Sequence, residues 1–145
     1  MSTPLDPWIN TYIGPYLIRS LIGKGGMGCV YEAYHETLDR LVAIKLLMSQ
    51  EQLTESMLHT FREEARSASK CKHPNIITIY DFGIYQHTPY MVMELLRGES
   101  LHSLMKRQKV LQLGELLEIL FPIAQALNVL HDQGMIHRDI KPGNI

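Results

Sequence analysis

The sequence predicts an α+β domain, and three observations carry that prediction. Short runs rich in β-branched and aromatic residues, separated by turn residues, fill the stretch from Tyr16 to Leu47. A helical period replaces them across Thr54 to Lys70. Two more strand-like runs follow, and the helical period then returns from Ser100 to His131. The order is β-β-β-α-β-β-α-α with a polar loop at the end: a five-stranded antiparallel sheet with one helix, then two further helices.

Each element has its own signal. Residues 1–15, with Pro4, Pro7 and Pro15, read as an irregular lead in which Trp8 and Tyr12 act as anchors. Tyr16–Ile22, Cys29–Tyr34 and Leu41–Leu47 form a three-strand meander, its first turn rich in glycine. Met57, Phe61, Glu64, Ala65 and Ala68 recur at helical spacing, and Pro74-Asn75 ends that segment. Ile76–Tyr80 and Tyr90–Leu95 are the next strands. Ser100 caps a short helix reaching Arg107. Leu116, Leu117, Leu120, Leu127 and Leu130 mark a long helix over Leu113–His131, with Gly134 as its C-terminal cap. Pro122 lies inside that pattern; either the helix bends there or a new one starts.

Composition narrows the class. With 145 residues, 46% of them hydrophobic and 20% charged, the chain has the make-up of one globular domain. A formal net charge of -1 and the absence of a basic run argue against nucleic acid or an anionic membrane as partner. Two cysteines without CxxC spacing favour a reducing compartment, and a cytoplasmic location is expected. The first residues show no signal peptide, and no run of about 20 apolar residues suggests a spanning segment. None of the seven histidines pairs with acids or cysteines at zinc-ligand spacing.

Four motifs carry chemistry. Gly23-Lys24-Gly25-Gly26-Met27-Gly28-Cys29-Val30 is a G-x-G-x-x-G-x-V stretch followed by a strand rather than a helix, so a dinucleotide-binding turn does not fit. A glycine hairpin whose backbone closes over phosphates remains, beside an ordinary tight turn. In Val42-Ala43-Ile44-Lys45, strand alternation puts Ala43 and Lys45 on one face, where a small residue could pack a flat base and a cation could reach phosphate; a solvated lysine is the alternative. Glu64 stands among apolar helix neighbours, and burial there calls for a partner such as Lys45; an exposed Glu64 is the other reading. Finally, His137-Arg138-Asp139-Ile140-Lys141-Pro142-Gly143-Asn144 combines a carboxylate, a cation and an oxygen ligand in one loop, the three functions phosphoryl transfer needs.

This ordered set resembles the protein kinase family, with its glycine-rich loop, V-A-I-K and H-R-D-x-x-x-x-N signatures. Lys141 gives the loop its Ser/Thr-kinase form, and the Gly25-Gly26-Met27-Gly28 wording looks most like bacterial members. The resemblance implies a kinase domain over 16–145, with an N-lobe at 16–94 and a hinge, first C-lobe helices and catalytic loop at 95–145. It also implies ATP and Mg²⁺ as cofactors and a Ser/Thr-bearing protein as substrate. Residue by residue, Gly23, Gly25 and Gly28 would line the phosphate-covering hairpin, and Ile22, Val30 and Ala43 would hold adenine. Lys45 would bind the α- and β-phosphates and pair with Glu64. Met93 resembles the gatekeeper, and Glu94 to Leu96 the hinge. Asp139 would be the catalytic base, Lys141 the γ-phosphate contact and Asn144 the metal ligand.

Two departures qualify the match. Asp81-Phe82-Gly83 spells the family's metal-binding triplet but lies far ahead of His137 instead of after it, at the end of a strand, and reads as a surface turn. No such triplet follows Asn144, so the domain is expected to be incomplete, with negligible phosphoryl transfer by this chain alone and a leucine stripe prone to self-association. A non-catalytic, ATP-binding module of the pseudokinase kind is the second reading. A small-molecule phosphotransferase is the third, disfavoured by Arg138 and Lys141.

Overall fold

The computed structural model describes residues 6–26, 28–47 and 54–145; within helix α1 the side chains of Glu64, Ser67 and Ala68 fall outside the description. Six strands form one antiparallel sheet: β1 (Tyr12–Ile13), β2 (Tyr16–Gly25), β3 (Gly28–His35), β4 (Arg40–Leu47), β5 (Ile79–Tyr85) and β6 (Thr88–Met93). Their order across the sheet is β1-β2-β3-β4-β6-β5. The helices are α1 (Glu55–Lys70), α2 (Leu101–Arg107) and α3 (Leu113–Asp132), and a 3-10 turn covers Pro142–Asn144. Two compact units result, one from the chain up to Ser69 with Thr78–Leu96, the other from Lys70–Ile77 with Arg97–Ile145.

In the first unit, strand alternation sorts the core into two faces. Ile18, Tyr31, Ala33, Val42, Ile44, Leu46 and Val92 pack together on one. Leu47 and Met91 pack with Phe61 and Ala65 of α1 on the other. Phe61 and Ala65, one helical turn apart, dock α1. Met57, expected on that stripe, is 44% exposed, because Phe61 already fills the space over Phe82 at a ring distance of 5.3 Å.

The lead is more ordered than its prolines suggest. Asp6 accepts hydrogen bonds from the Tyr31 hydroxyl at 2.9 and 3.2 Å, and the Trp8 ring meets Tyr85 edge-on at 6.5 Å. β1 then pairs with β2 through Ile13↔Tyr16, adding the sixth strand, and the Tyr12 hydroxyl donates to Glu36 at 2.7 Å.

Asp81-Phe82-Gly83 is not a turn. The triplet sits inside β5, which starts at Ile79 rather than Ile76, and pairs with Val92, Met91 and Tyr90 of β6. Gly83 is required by packing: a Cβ there would come within 2.6 Å of the Tyr90 hydroxyl.

In the second unit, Ser100 caps α2 by accepting from the Ser103 N–H at 3.2 Å. α3 runs unbroken through Pro122 and ends where Gly134, at φ +72°, donates to the His131 carbonyl. Its Leu113, Leu117, Leu120 and Phe121 are exposed, whereas Leu130, part of the expected exposed stripe, is buried with Ala126. Contrary to the expectation of no spanning-length segment, α3 has the length and mean hydropathy (1.5) of a membrane-crossing helix. Glu115 and Glu118 interrupt its apolar run but not its average, and the core helix of a soluble protein passes the same test.

Candidate functional site

The first unit holds the glycine hairpin and the V-A-I-K strand. β2 and β3 close at Gly25↔Gly28, with Gly23↔Val30 two pairs back. Gly28 takes φ +146°, and a Cβ on it would stand 1.9 Å from the Leu46 carbonyl oxygen. That glycine is dictated by the sheet itself. Gly25 differs, since a side chain there would meet nothing within 4 Å.

Register then fixes the neighbours of Lys45. It lies opposite Val30 on β3 and Met91 on β6, while Ala43 lies opposite Glu32 and Met93. Ala43 and Lys45 therefore share the sheet face that carries α1, with Ala43 buried and Lys45 half-buried. Ile22 projects from β2 half exposed. The backbone of Glu64 belongs to α1, three residues past buried Phe61, but its side chain lies outside the described residues. Beyond Met93, Glu94 is fixed twice to Thr78: its N–H donates to the Thr78 carbonyl at 2.9 Å, and its carboxylate accepts from the Thr78 N–H at 3.3 Å. Leu96 is exposed.

The second unit holds the polar loop. Arg138 takes φ +64°, reversing the chain so that the Asp139 N–H donates to His137 Nδ1 at 3.3 Å. The Asn144 side-chain amide donates to both the main-chain oxygen (2.8 Å) and Oδ2 (2.9 Å) of Asp139. Lys141 Nζ reaches the same Oδ2 at 2.9 Å. With both amide hydrogens committed, the orientation of Asn144 leaves Oδ1 as its remaining acceptor, the kind of hard oxygen a magnesium ion takes. The Lys141 ammonium, and after it the Asn144 amide, holds the Asp139 carboxyl below the usual carboxylate range.

So the structure brings Asp139, Lys141 and Asn144 into one network and sets Val30, Ala43, Lys45 and Met93 by strand pairing. One contact of the loop has no sequence signal: the Leu101 N–H donates to the Ile145 main-chain oxygen at 2.7 Å. A capped helix start reveals that an N–H needs an acceptor, but not which one.

Residues 16–145 match the protein kinase domain family, and the chain belongs to that family. Among its relatives, the Ser/Thr-protein kinase PknA of Mycobacterium tuberculosis is 41% identical over 140 residues, covering 93% of this chain and 32% of PknA. The Ser/Thr-protein kinase PksC of Streptomyces coelicolor is 38% identical, covering 91% of this chain and 25% of PksC. Of solved structures, the apo form of PpkA superposes with a TM-score of 0.83 at 28% identity, covering 99% of this chain and 57% of that one. The PknI kinase domain of Mycobacterium tuberculosis gives 0.82 at 26%, covering 92% and 54%. The chain thus spans a third or less of these curated relatives and a little over half of these solved chains.

Proposed function

We propose that this chain supplies the ATP-binding and catalytic-loop portion of a kinase that transfers the γ-phosphoryl group of ATP to Ser or Thr hydroxyls of proteins. The observation that carries the reading is the Asp139–Lys141–Asn144 network, in which one carboxylate is held by a cation and by an amide whose oxygen remains to bind a metal.

Each residue then has a task. Asp139, kept ionised at neutral pH, orients the attacking hydroxyl and accepts its proton. Lys141 supplies positive charge beside the γ-phosphoryl group, and Lys45, held in place by Glu64, supplies it beside the α- and β-phosphates. Gly23, Gly25 and Gly28 let backbone N–H groups approach the phosphates. Ile22, Val30 and Ala43 receive the adenine ring, with Met93 behind it and the backbone of Glu94 to Leu96 at its edge. The donor set fits magnesium, which Asn144 would hold through Oδ1; bound with ATP, the ion neutralises charge on the phosphates. A cytoplasmic setting belongs to the same proposal, as does self-association through the exposed face of α3, for which Leu113, Leu117 and Phe121 are the support.

Calorimetric titration with Mg²⁺·ATP, paired with radiolabel transfer to a mixed Ser/Thr protein substrate, tests the reading in the protein that carries this chain. Lys45→Met is expected to weaken ATP binding about tenfold or more, since a charge-assisted contact is lost. Asp139→Asn should leave ATP binding within about twofold and lower transfer by about 10²–10⁴. ATP binding without transfer by the unsubstituted protein would favour the non-catalytic module, and no ATP binding would sink both readings.

A further inference from the structure

We propose that α2 is the anchor of the catalytic loop and that Leu101 is its positioning residue, acting through its main-chain N–H. The assignment of a catalytic role to the loop rests on the function proposed above; the anchor itself rests on geometry alone.

A helix leaves its first N–H groups without intrahelical acceptors. In α2, the Ser103 N–H is taken by the Ser100 hydroxyl at 3.2 Å. The Leu101 N–H, at the first helical position, is taken instead by the main-chain oxygen of Ile145 at 2.7 Å. Ile145 directly follows Asn144, the residue that grips Asp139 twice. The Leu101 side chain is buried, although its neighbours His102 and Ser103 are exposed. At the other end of α2, Arg107 forms an ion pair with Glu99, ahead of the cap, so the helix is tied at both ends. The 3-10 turn itself has one internal main-chain bond, from the Asn144 N–H to the Lys141 carbonyl at 2.9 Å. A short exposed turn held by so little needs an outside support to keep Asn144 and Asp139 in register.

The first helical position allows the N–H to be removed with little else changed. Proline is well tolerated there, because its fixed φ suits the helix start and its missing N–H lies outside the intrahelical set. Ser100 already has φ −72° and ψ 157°, the extended conformation that a following proline demands. Leu101→Pro therefore deletes the bond to Ile145 while leaving α2 able to form. Leu101→Ala trims the same side chain but keeps the N–H, and serves as its control.

The experiment is amide hydrogen exchange by NMR on the ¹⁵N-labelled 145-residue chain, with the Tyr31 and Ile44 amides of the sheet as internal folding standards. Leu101→Pro is expected to speed exchange of the Asn144 main-chain amide about three- to tenfold relative to Leu101→Ala, the loss of one hydrogen bond. The Asn144 side-chain resonances, which report its grip on Asp139, should shift in Leu101→Pro alone. Equal exchange and unchanged side-chain shifts in the two variants would overturn the anchor. The unsubstituted chain gives a second test that no misfolded variant can spoil: the Leu101 amide should exchange slowly and together with that of Asn144, and free exchange at Leu101 would overturn the proposal. None of these measurements uses ATP or turnover, so a chain that binds no nucleotide yet shows the expected pattern would sink the functional reading and keep the anchor. In the transfer assay, Leu101→Pro should lower kcat about three- to tenfold below Leu101→Ala with KM for ATP unchanged.

Discussion

Gly28 and Gly25 belong to one motif but owe their identity to different causes. At Gly28 the backbone has φ +146° and the Leu46 carbonyl occupies the space a Cβ would need, whereas Gly25 is open on all sides. Gly28→Ala should therefore cost on the order of 2–3 kcal/mol in urea unfolding, through forced backbone strain. Gly25→Ala should stay within about 0.5 kcal/mol; matching midpoints for the two variants would refute this account. Asp139 gives a second prediction at this scale. Its folded pKa is depressed by Lys141 and Asn144, so the network's contribution is present above the unfolded carboxylate value of about 3.9 and fades as pH falls through the lower folded value. The Asn144 side-chain NMR signals should accordingly titrate with a midpoint below about 3.9, and Lys141→Ala should move that midpoint upward. A midpoint unmoved by Lys141→Ala would rule out the lysine as the main cause. The loop composition made the chemistry of Asp139, Lys141 and Asn144 legible from sequence, yet the double grip of Asn144 on Asp139 depends on the reversal at Arg138, which a periodicity argument does not register.

Among the elements, α1 is the least tied. Phe61 and Ala65 dock it on the sheet, and the Phe61 ring lies against Phe82. Phe61→Ala should cost about 3–4 kcal/mol at a site this buried, with the helix freed before the sheet. Hydrogen exchange resolves the order: amides of α1 should lose protection while those of β4 and β6 keep theirs, and uniform loss would contradict it. The helical spacing predicted α1 to within one residue at its start. It did not predict which side faces inward, because Met57, Phe61 and Ala65 all satisfy the period and only the position of Phe82 selects among them. The same limit explains Asp81-Phe82-Gly83. Its letters match a metal-binding triplet, but its pairing with Val92, Met91 and Tyr90 makes it part of a strand, with glycine needed under the Tyr90 ring.

At the scale of the whole first unit, the sheet is covered on both faces. α1 covers one, and the lead crosses the other, touching Tyr31 in β3 and Tyr85 in β5 before joining β2 through β1. Burial and the hydrogen bond from its hydroxyl to Asp6 push the Tyr31 phenol well above its usual range, as a tyrosine sealed against water should be. Trp8→Ala should then destabilise the sheet by about 1–3 kcal/mol, because it uncovers apolar surface spanning several strands. Thermal unfolding followed by the sheet's circular dichroism checks this. An unchanged Tm would mean that the lead rests on the core without supporting it.

The sequence alone determined the α+β class, the strand meander, both main helices and the residue types of the loop. Those properties are local: alternation, helical period, capping and motif spacing act over a few residues. The tertiary structure decided what depends on distant partners. It turned the proline-rich lead into a strap and added β1, placed Asp81-Phe82-Gly83 in β5, and kept α3 continuous through Pro122. It also joined Leu101 to Ile145, 44 positions later in the chain. A backbone N–H carries no residue identity, so only the fold can choose its acceptor.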